Sequence, residues 1–326
     1  MSNATDTLVA LGYRAGWAVA GALPAEAAYR VADFAADRAM ARRGAAVVQY
    51  AKNLHRVLGP DATPGLLYSE TAAGLRSYAR YWLETFRLPV MDRGEVVASS
   101  WAAAHGMEHI AAAVESGRGV VLALPHSGNW DIAGLMLADR YGSLTSVAER
   151  LEPESLYRRF LSYRESLGME ILPLTGGKVP VSSLLKDRLR AGGIVCLLGD
   201  RDLTASGVPV RFFGRSTRMP AGPAMLAALT GADLCPAHLI FTQDGADRGW
   251  RTQIFPPIPL VGTRLAERVR RGTQALADQF ERSIAGRPAD WHMLQPLWLA
   301  DLAPGARPRG QLVERPGSAP STQVPG

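Results

Sequence analysis

Lysine is almost missing from this chain. Only Lys52, Lys178 and Lys186 occur in 326 residues, so 33 of the 36 basic residues are arginine, in a sequence also rich in alanine and glycine. GC-rich coding produces such a bias, which excludes nothing about mechanism. Cysteine is scarcer still. Cys196 and Cys235 are the only two, which excludes a disulfide framework and suits buried thiols in a reducing, intracellular setting, although a single pairing between them stays open. Met1 to Asp6 carries no positive charge of the kind that opens a secretory leader, so the Asn3-Ala-Thr5 sequon reads as accidental. Between Ala15 and Ala25 lie 11 uncharged residues, three of them Gly or Pro, too few to cross a bilayer. No Gly-x-Ser-x-Gly elbow, Walker phosphate loop, Gly-x-Gly-x2-Gly fingerprint or Cys-x2-Cys pair is present. These absences argue against a typical serine hydrolase, a P-loop nucleotidase and a Rossmann dehydrogenase.

What the chain does have begins with size and charge. A sequence of this length can bury on the order of 75% of the surface it exposes when unfolded, so no metal or disulfide is needed to make a core. The formal charge of +6 and pI near 9.6 permit an anionic partner: nucleic acid, an acidic membrane surface or the phosphates of coenzyme A.

The chain is organised around residues 118 to 134. Val120 to Leu124 has the length and composition of a strand buried on both faces, and Trp130 to Arg140 reads as a helix packing back on it. His126 and Asp131 fall at the seam, where an α/β unit collects reacting groups. A carboxylate at Asp131 is expected to hold the His126 imidazole and stabilise the cation it forms on taking a proton from a hydroxyl. The bland reading is that His126 sits in a turn and Asp131 complements a helix dipole.

Further blocks follow in order. Leu144 to Ala148 reads as a strand delivering Glu149, and the helix after it holds Arg164-Glu-Ser-Leu-Gly168. Val181 to Arg190 reads as a helix and Ile194 to Leu198 as a strand ending at Gly199-Asp200-Arg201-Asp202. Phe212-Phe-Gly214 precedes an Ala-rich helix at 219–230, strands at 234–241 and 250–255 flank an Asp244-Gly245 turn, and a helix spans 264–285 before Trp291 to Trp298. His126-Ser-Gly-Asn-Trp-Asp131, together with these blocks, resembles the bacterial acyltransferase family that includes the late lipid A acyltransferases, over about residues 95 to 300. Tyr13-Arg-Ala-Gly-Trp17 and Ala39-Met-Ala-Arg-Arg-Gly44 look most like its actinobacterial branch acting on phosphatidylinositol mannosides. The resemblance implies a fatty acyl chain, palmitoyl for choice, moved from acyl-CoA to a mannose hydroxyl of a glycolipid, with acyl-CoA as co-substrate and no cofactor or metal. It implies His126 and Asp131 as catalytic, and Glu149, Arg164, Asp200 and Arg201 as substrate-binding. Arg201 stands where the family commonly has Gln after its acidic residue, which leaves the role of Asp200 open.

The expected fold class is α/β, with a central mixed β-sheet flanked by helices and an N-terminal helical segment. Residues 1–94 form that segment, 95–302 the acyltransferase core, and 303–326 a Pro/Gly-rich disordered tail. Helices are expected at 6–22, 25–43, 45–60 and 66–88. The aromatic and arginine residues of the first two suit either a membrane interface on the cytoplasmic face, with the protein held peripherally, or an ordinary helical hairpin against the core. Tyr78, Tyr81, Trp82 and Phe86 are core or one wall of an acyl tunnel. A single helix is expected over 95–115. It contains His105-Gly-Met-Glu-His109, the His-x2-Glu-His spacing of one class of zinc peptidases, against which a plain surface helix is preferred because Gly106 weakens the helix. Two rivals remain: a lipid A-type acyltransferase with another donor or acceptor, and a non-catalytic basic protein binding membranes. No nucleic-acid module is recognisable.

Overall fold

The apolar run Val120–Leu124 becomes β1, with all five residues buried. Val120, Leu122 and Leu124 face one core, and Val121 and Ala123 face the other, as a run without polar alternation requires. The computed structural model describes residues 12, 16–150, 153–203, 206–242 and 248–302. Within them follow β2 (Leu144–Ala148), β3 (Met169–Pro173), β4 (Ile194–Leu198), β5 (Val208–Phe212), β6 (Arg215–Met219), β7 (Asp233–Thr242) and β8 (Gly249–Ile254).

Six strands form one sheet in the order β3-β2-β4-β1-β7-β8, and β5 with β6 makes a separate hairpin. Five strands of the large sheet run parallel, while β8 is antiparallel to β7 at the edge. The class is therefore α/β with a central mixed sheet flanked by helices and preceded by N-terminal helices, as expected. From β1 the chain crosses to β2, on the far side of β4. From β4 it returns to β7, on the far side of β1. β1 and β4 thus flank the topological switch, where the carboxyl ends of parallel strands open a crevice for ligands. Their register pairs Leu124 with Leu198, and Gly199 N–H extends the ladder to Leu124 O at 2.9 Å.

Residues 16–22 are helical, followed by helices Ala25–Arg42, Ala45–Leu58 and Pro64–Arg87. Thr63 caps the last through its side chain, and Pro64 fits the first helical position because its missing N–H has no intrahelical partner there. Trp17 is buried against Phe86, Phe160 and Tyr163. The opposite outcome holds along Ala25–Arg42, where Val31 and Phe34 point into solvent, Phe34 at 72% exposure.

Three expectations change. The helix expected over 95–115 is two helices, Arg93–Ala102 and Met107–Glu115. Between them His105 exchanges backbone hydrogen bonds with Thr252 and Ile254 of β8, at 2.9 Å each. Gly106 takes φ +75° so close to that strand that a Cβ would lie 1.9 Å from Ile254 O, a conformation and approach that select glycine. β3 was not anticipated, because its five residues follow the Gly168 turn without a strong alternating pattern. Met219 closes β6, and the helix expected from that position starts at Gly222.

Cys196 and Cys235 lie on β4 and β7, both opposite Leu122 of the intervening β1. Two strand spacings, about 10 Å, exceed the reach of a disulfide, about 7 Å between Cα atoms, so the pairing left open by the sequence is closed off. The first turns of the 6–22 helix, Asn3, Asp244-Gly245 and the 303–326 tail lie outside the described residues.

Candidate active site

His126 stands two residues beyond the end of β1 and Asp200 two beyond the end of β4. Because Leu124 and Leu198 are register partners, equal overhangs bring the two side chains together at the switch point. His126 Nδ1 lies 2.6 Å from Asp200 Oδ1, and the His126 backbone N–H donates to Asp200 Oδ2 at 2.9 Å. The Trp291 indole N–H donates to the same Oδ2, also at 2.9 Å. Asp200 is fully buried. Burial works to raise its pKa, but the His126 ring and the N–H groups of Trp291 and His126 prevail and hold it below the ordinary carboxylate value. An acceptor fixed on Nδ1 selects the tautomer with hydrogen there and leaves the Nε2 lone pair for chemistry.

The expected pairing of Asp131 with His126 is not formed. Asn129 caps helix Trp130–Tyr141 by accepting from Asp131 N and Ile132 N at 3.1 and 3.2 Å. That places Asp131 in the first turn with its side chain on Arg164, whose Nε donates to Oδ1 at 2.7 Å, and against Thr85, whose hydroxyl lies 3.4 Å from Oδ2. Arg164 therefore holds a carboxylate of the site. Burial pulls its pKa down, but Asp131 outweighs it, and the guanidinium is held above its ordinary value.

A cavity of about 700 Å³ opens at this seam, lined by His126, Glu149, Arg164 and Arg201 on its polar side and by Tyr81, Trp82, Trp130, Phe160, Leu185 and Leu226 among its apolar walls. Its size lies within the range of small-molecule sites, about 300–1,000 Å³. Glu149 is exposed at the rim. Arg201 is buried, and burial lowers its pKa against the pull of Asp200 and Glu149. Of the six residues singled out in the sequence, His126, Glu149, Arg164 and Arg201 line this crevice, while Asp200 lies behind it on His126 and Asp131 on Arg164. Tyr78, Tyr81 and Trp82 line the cavity; Phe86 packs beneath on Trp17.

A second polar layer was missed. His292 N–H donates to the His126 backbone carbonyl at 2.7 Å. Ser77 Oγ lies 2.7 Å from Asp290 Oδ1 and 2.9 Å from His292 Nε2. Burial pushes the His292 imidazole down to about 3, with His126 adding to the effect. In the sequence Trp291 and His292 belong to the aromatic segment Trp291 to Trp298, and no local signal distinguishes an indole that fills space from one that donates to a buried carboxylate.

The two histidines of the His105-x2-Glu-His pattern fall on different elements. His105 lies in the extended link and His109 in the following helix, so they do not share a helical face, and no cluster of three or more His, Cys, Asp or Glu capable of holding a metal occurs among the described residues.

At the strand ends of the α/β sheet, then, a histidine held by a carboxylate faces a largely apolar cavity. Residues 3–300 match the family model for bacterial lipid A biosynthesis acyltransferase, and the chain belongs to that family. Among curated relatives, a phosphatidylinositol mannoside acyltransferase of Mycobacterium tuberculosis is 50% identical over 308 residues, covering 94% of this chain and 93% of that protein. One of the same name from Mycolicibacterium smegmatis is 50% identical over 301 residues, covering 92% and 94%.

Proposed function

We propose that this protein is an acyl-CoA-dependent O-acyltransferase that moves a fatty acyl chain, palmitoyl for choice, to a mannose hydroxyl of phosphatidylinositol mannosides. The observation that carries the reading is the His126 Nδ1 to Asp200 Oδ1 contact of 2.6 Å on the wall of the apolar cavity. The names of relatives that match almost end to end support the acceptor.

In this mechanism His126 Nε2 takes the proton of the mannose hydroxyl as its oxygen attacks the thioester carbonyl carbon. Asp200 stabilises the imidazolium. The tetrahedral intermediate expels the coenzyme A sulfur, which takes the proton back from His126, so no acyl-enzyme forms. Arg201, buried beside Asp200 at the cavity wall, is the side chain assigned to the developing oxyanion. The apolar walls take the acyl chain, and Glu149 at the rim accepts from sugar hydroxyls. Arg164 acts through Asp131 in ordering the turn after His126.

The protein works peripherally on the cytoplasmic face of the membrane, where acyl-CoA is found. No helix among the described residues is long and apolar enough to cross a membrane. Val31 and Phe34 are exposed on helix Ala25–Arg42, whose Arg30, Arg38 and Arg42 are balanced by Glu26, Asp33 and Asp37, so the apolar pair is what this helix offers a membrane. Incubation of the enzyme with palmitoyl-CoA and purified phosphatidylinositol mannosides, followed by mass spectrometry of the lipid, tests the assignment. A monoacylated mannoside product supports it. Its absence with folded enzyme, when a parallel incubation with lipid A precursors yields acylated product, overturns the acceptor.

A further inference from the structure

We infer that Glu84, which does not line the cavity, is a positioning residue that sets the turn between His126 and Asp131; its effect on turnover rests on the acyl-transfer reading above. Glu84 lies on helix Pro64–Arg87 and is fully buried. Its carboxylate accepts four hydrogen bonds, two on each oxygen. Oε1 receives Arg80 Nε at 2.7 Å and the Tyr29 hydroxyl at 3.1 Å. Oε2 receives Asn129 Nδ2 at 2.9 Å and the Trp250 indole N–H at 2.8 Å.

The Asn129 contact links Glu84 to the site. The Asn129 amide oxygen caps the helix that carries Asp131, so its nitrogen end must find an acceptor, and Glu84 fixes which way the amide points. Thr85, the next residue of the same helix, packs its hydroxyl 3.4 Å from Asp131 Oδ2 while donating to Tyr81 O at 2.9 Å. Consecutive residues of one helix therefore contact both Asn129 and Asp131, three and five positions after His126. Through Oε1 the same carboxylate also holds Tyr29 on the Ala25–Arg42 helix, whose ring lies 3.8 Å from the Arg248 guanidinium. A misplacement of about 1 Å at a reacting group can cost 10²-fold in rate, so the tie should act on turnover rather than on donor binding.

Two variants test this. Glu84→Gln places an NH₂ against donors on one side or the other. Asn129→Ser keeps an N-cap acceptor and removes only the tie to Glu84. Both are expected to lower kcat at least tenfold with KM for palmitoyl-CoA within twofold of wild type. Hydrogen exchange at residues 126–132 should accelerate in both, while the melting temperature of Asn129→Ser stays near that of wild type. The double variant Glu84→Gln with Asn129→Asp restores a donor–acceptor pair in reverse and should exceed Asn129→Asp alone in kcat. Wild-type kcat and unchanged exchange in Asn129→Ser would overturn the inference, even if Glu84→Gln does not fold. Should wild type fail to acylate the mannoside, the functional reading falls, and the exchange data still decide for or against Glu84.

Discussion

His126 Nδ1 and Asp200 Oδ1 sit 2.6 Å apart although 74 positions separate them in sequence. Two parallel strands in register and two equal overhangs are enough to join them. Because the same Asp200 also accepts from the Trp291 indole, Trp291→Phe should weaken its hold on the ring without removing it. Turnover is expected to fall about tenfold, the cost of losing roughly 1.4 kcal/mol from a charge-assisted hydrogen bond, measurable by steady-state kinetics at pH 7.5.

Asp131 and Arg164 make the opposite prediction. Asp131 is fully buried and its guanidinium partner only partly exposed, so Asp131→Asn leaves a buried charge without its counterion. Removal of one member of such a pair costs about 3 kcal/mol or more. Urea unfolding at pH 7.5 should report that loss. A stability change under about 1 kcal/mol would show that Arg164 finds other partners or water.

Two buried histidines set a pH dependence of stability. Burial pushes His292 down to about 3 and His238 down to about 4, Arg287 adding to the second, while both bind protons near pH 6.5 in the unfolded chain. The unfolded state therefore holds more protons between the folded and unfolded values, and stability rises with pH across that window. For each histidine the slope approaches 1.4 kcal/mol per pH unit. Asp200, held below its ordinary value, adds stability that is present above about pH 4 and lost as pH falls through its folded pKa. Urea titrations between pH 4.5 and 7.5 should show a slope that flattens in His238→Gln with His292→Gln. An unchanged slope would assign it to other groups.

Phe34 is 72% exposed, so Phe34→Ser should leave the melting temperature unchanged. Partition onto phosphatidylinositol-containing vesicles should fall at least tenfold, since burial of such a side chain is worth about 1.5–3 kcal/mol. Sedimentation with vesicles measures it, and equal binding of the variant would remove this helix from the membrane-facing surface.

Much of this was legible in the sequence, for physical reasons that also mark the limit. Val120–Leu124 and Ile194–Leu198 are short apolar runs ending abruptly in polar clusters, so both strands and the crevice at their ends could be read directly. Register could not. The choice between Asp131, five residues from His126, and Asp200 depends on which strand lies beside β1 and on the Leu124–Leu198 alignment, neither of which has a local signature. The Asn129 cap on the next helix, which turns Asp131 toward Arg164, likewise has no local signature. The Gly106 break was hidden because its cause, Ile254 O of β8, lies about 150 residues away in sequence. Glu84 has no local signature, since three of its four donors, Tyr29, Asn129 and Trp250, come from distant segments.

The most direct test of the central claim is acceptor-dependent thiol release from palmitoyl-CoA by wild type, His126→Ala and Asp200→Asn, each checked for folding by its melting transition. The expected result is release by wild type in the presence of phosphatidylinositol mannosides and a loss of about 10²- to 10⁴-fold in both variants, the range for removing general-base help. Turnover by folded Asp200→Asn within threefold of wild type would contradict the claim that Asp200 holds His126 for proton transfer.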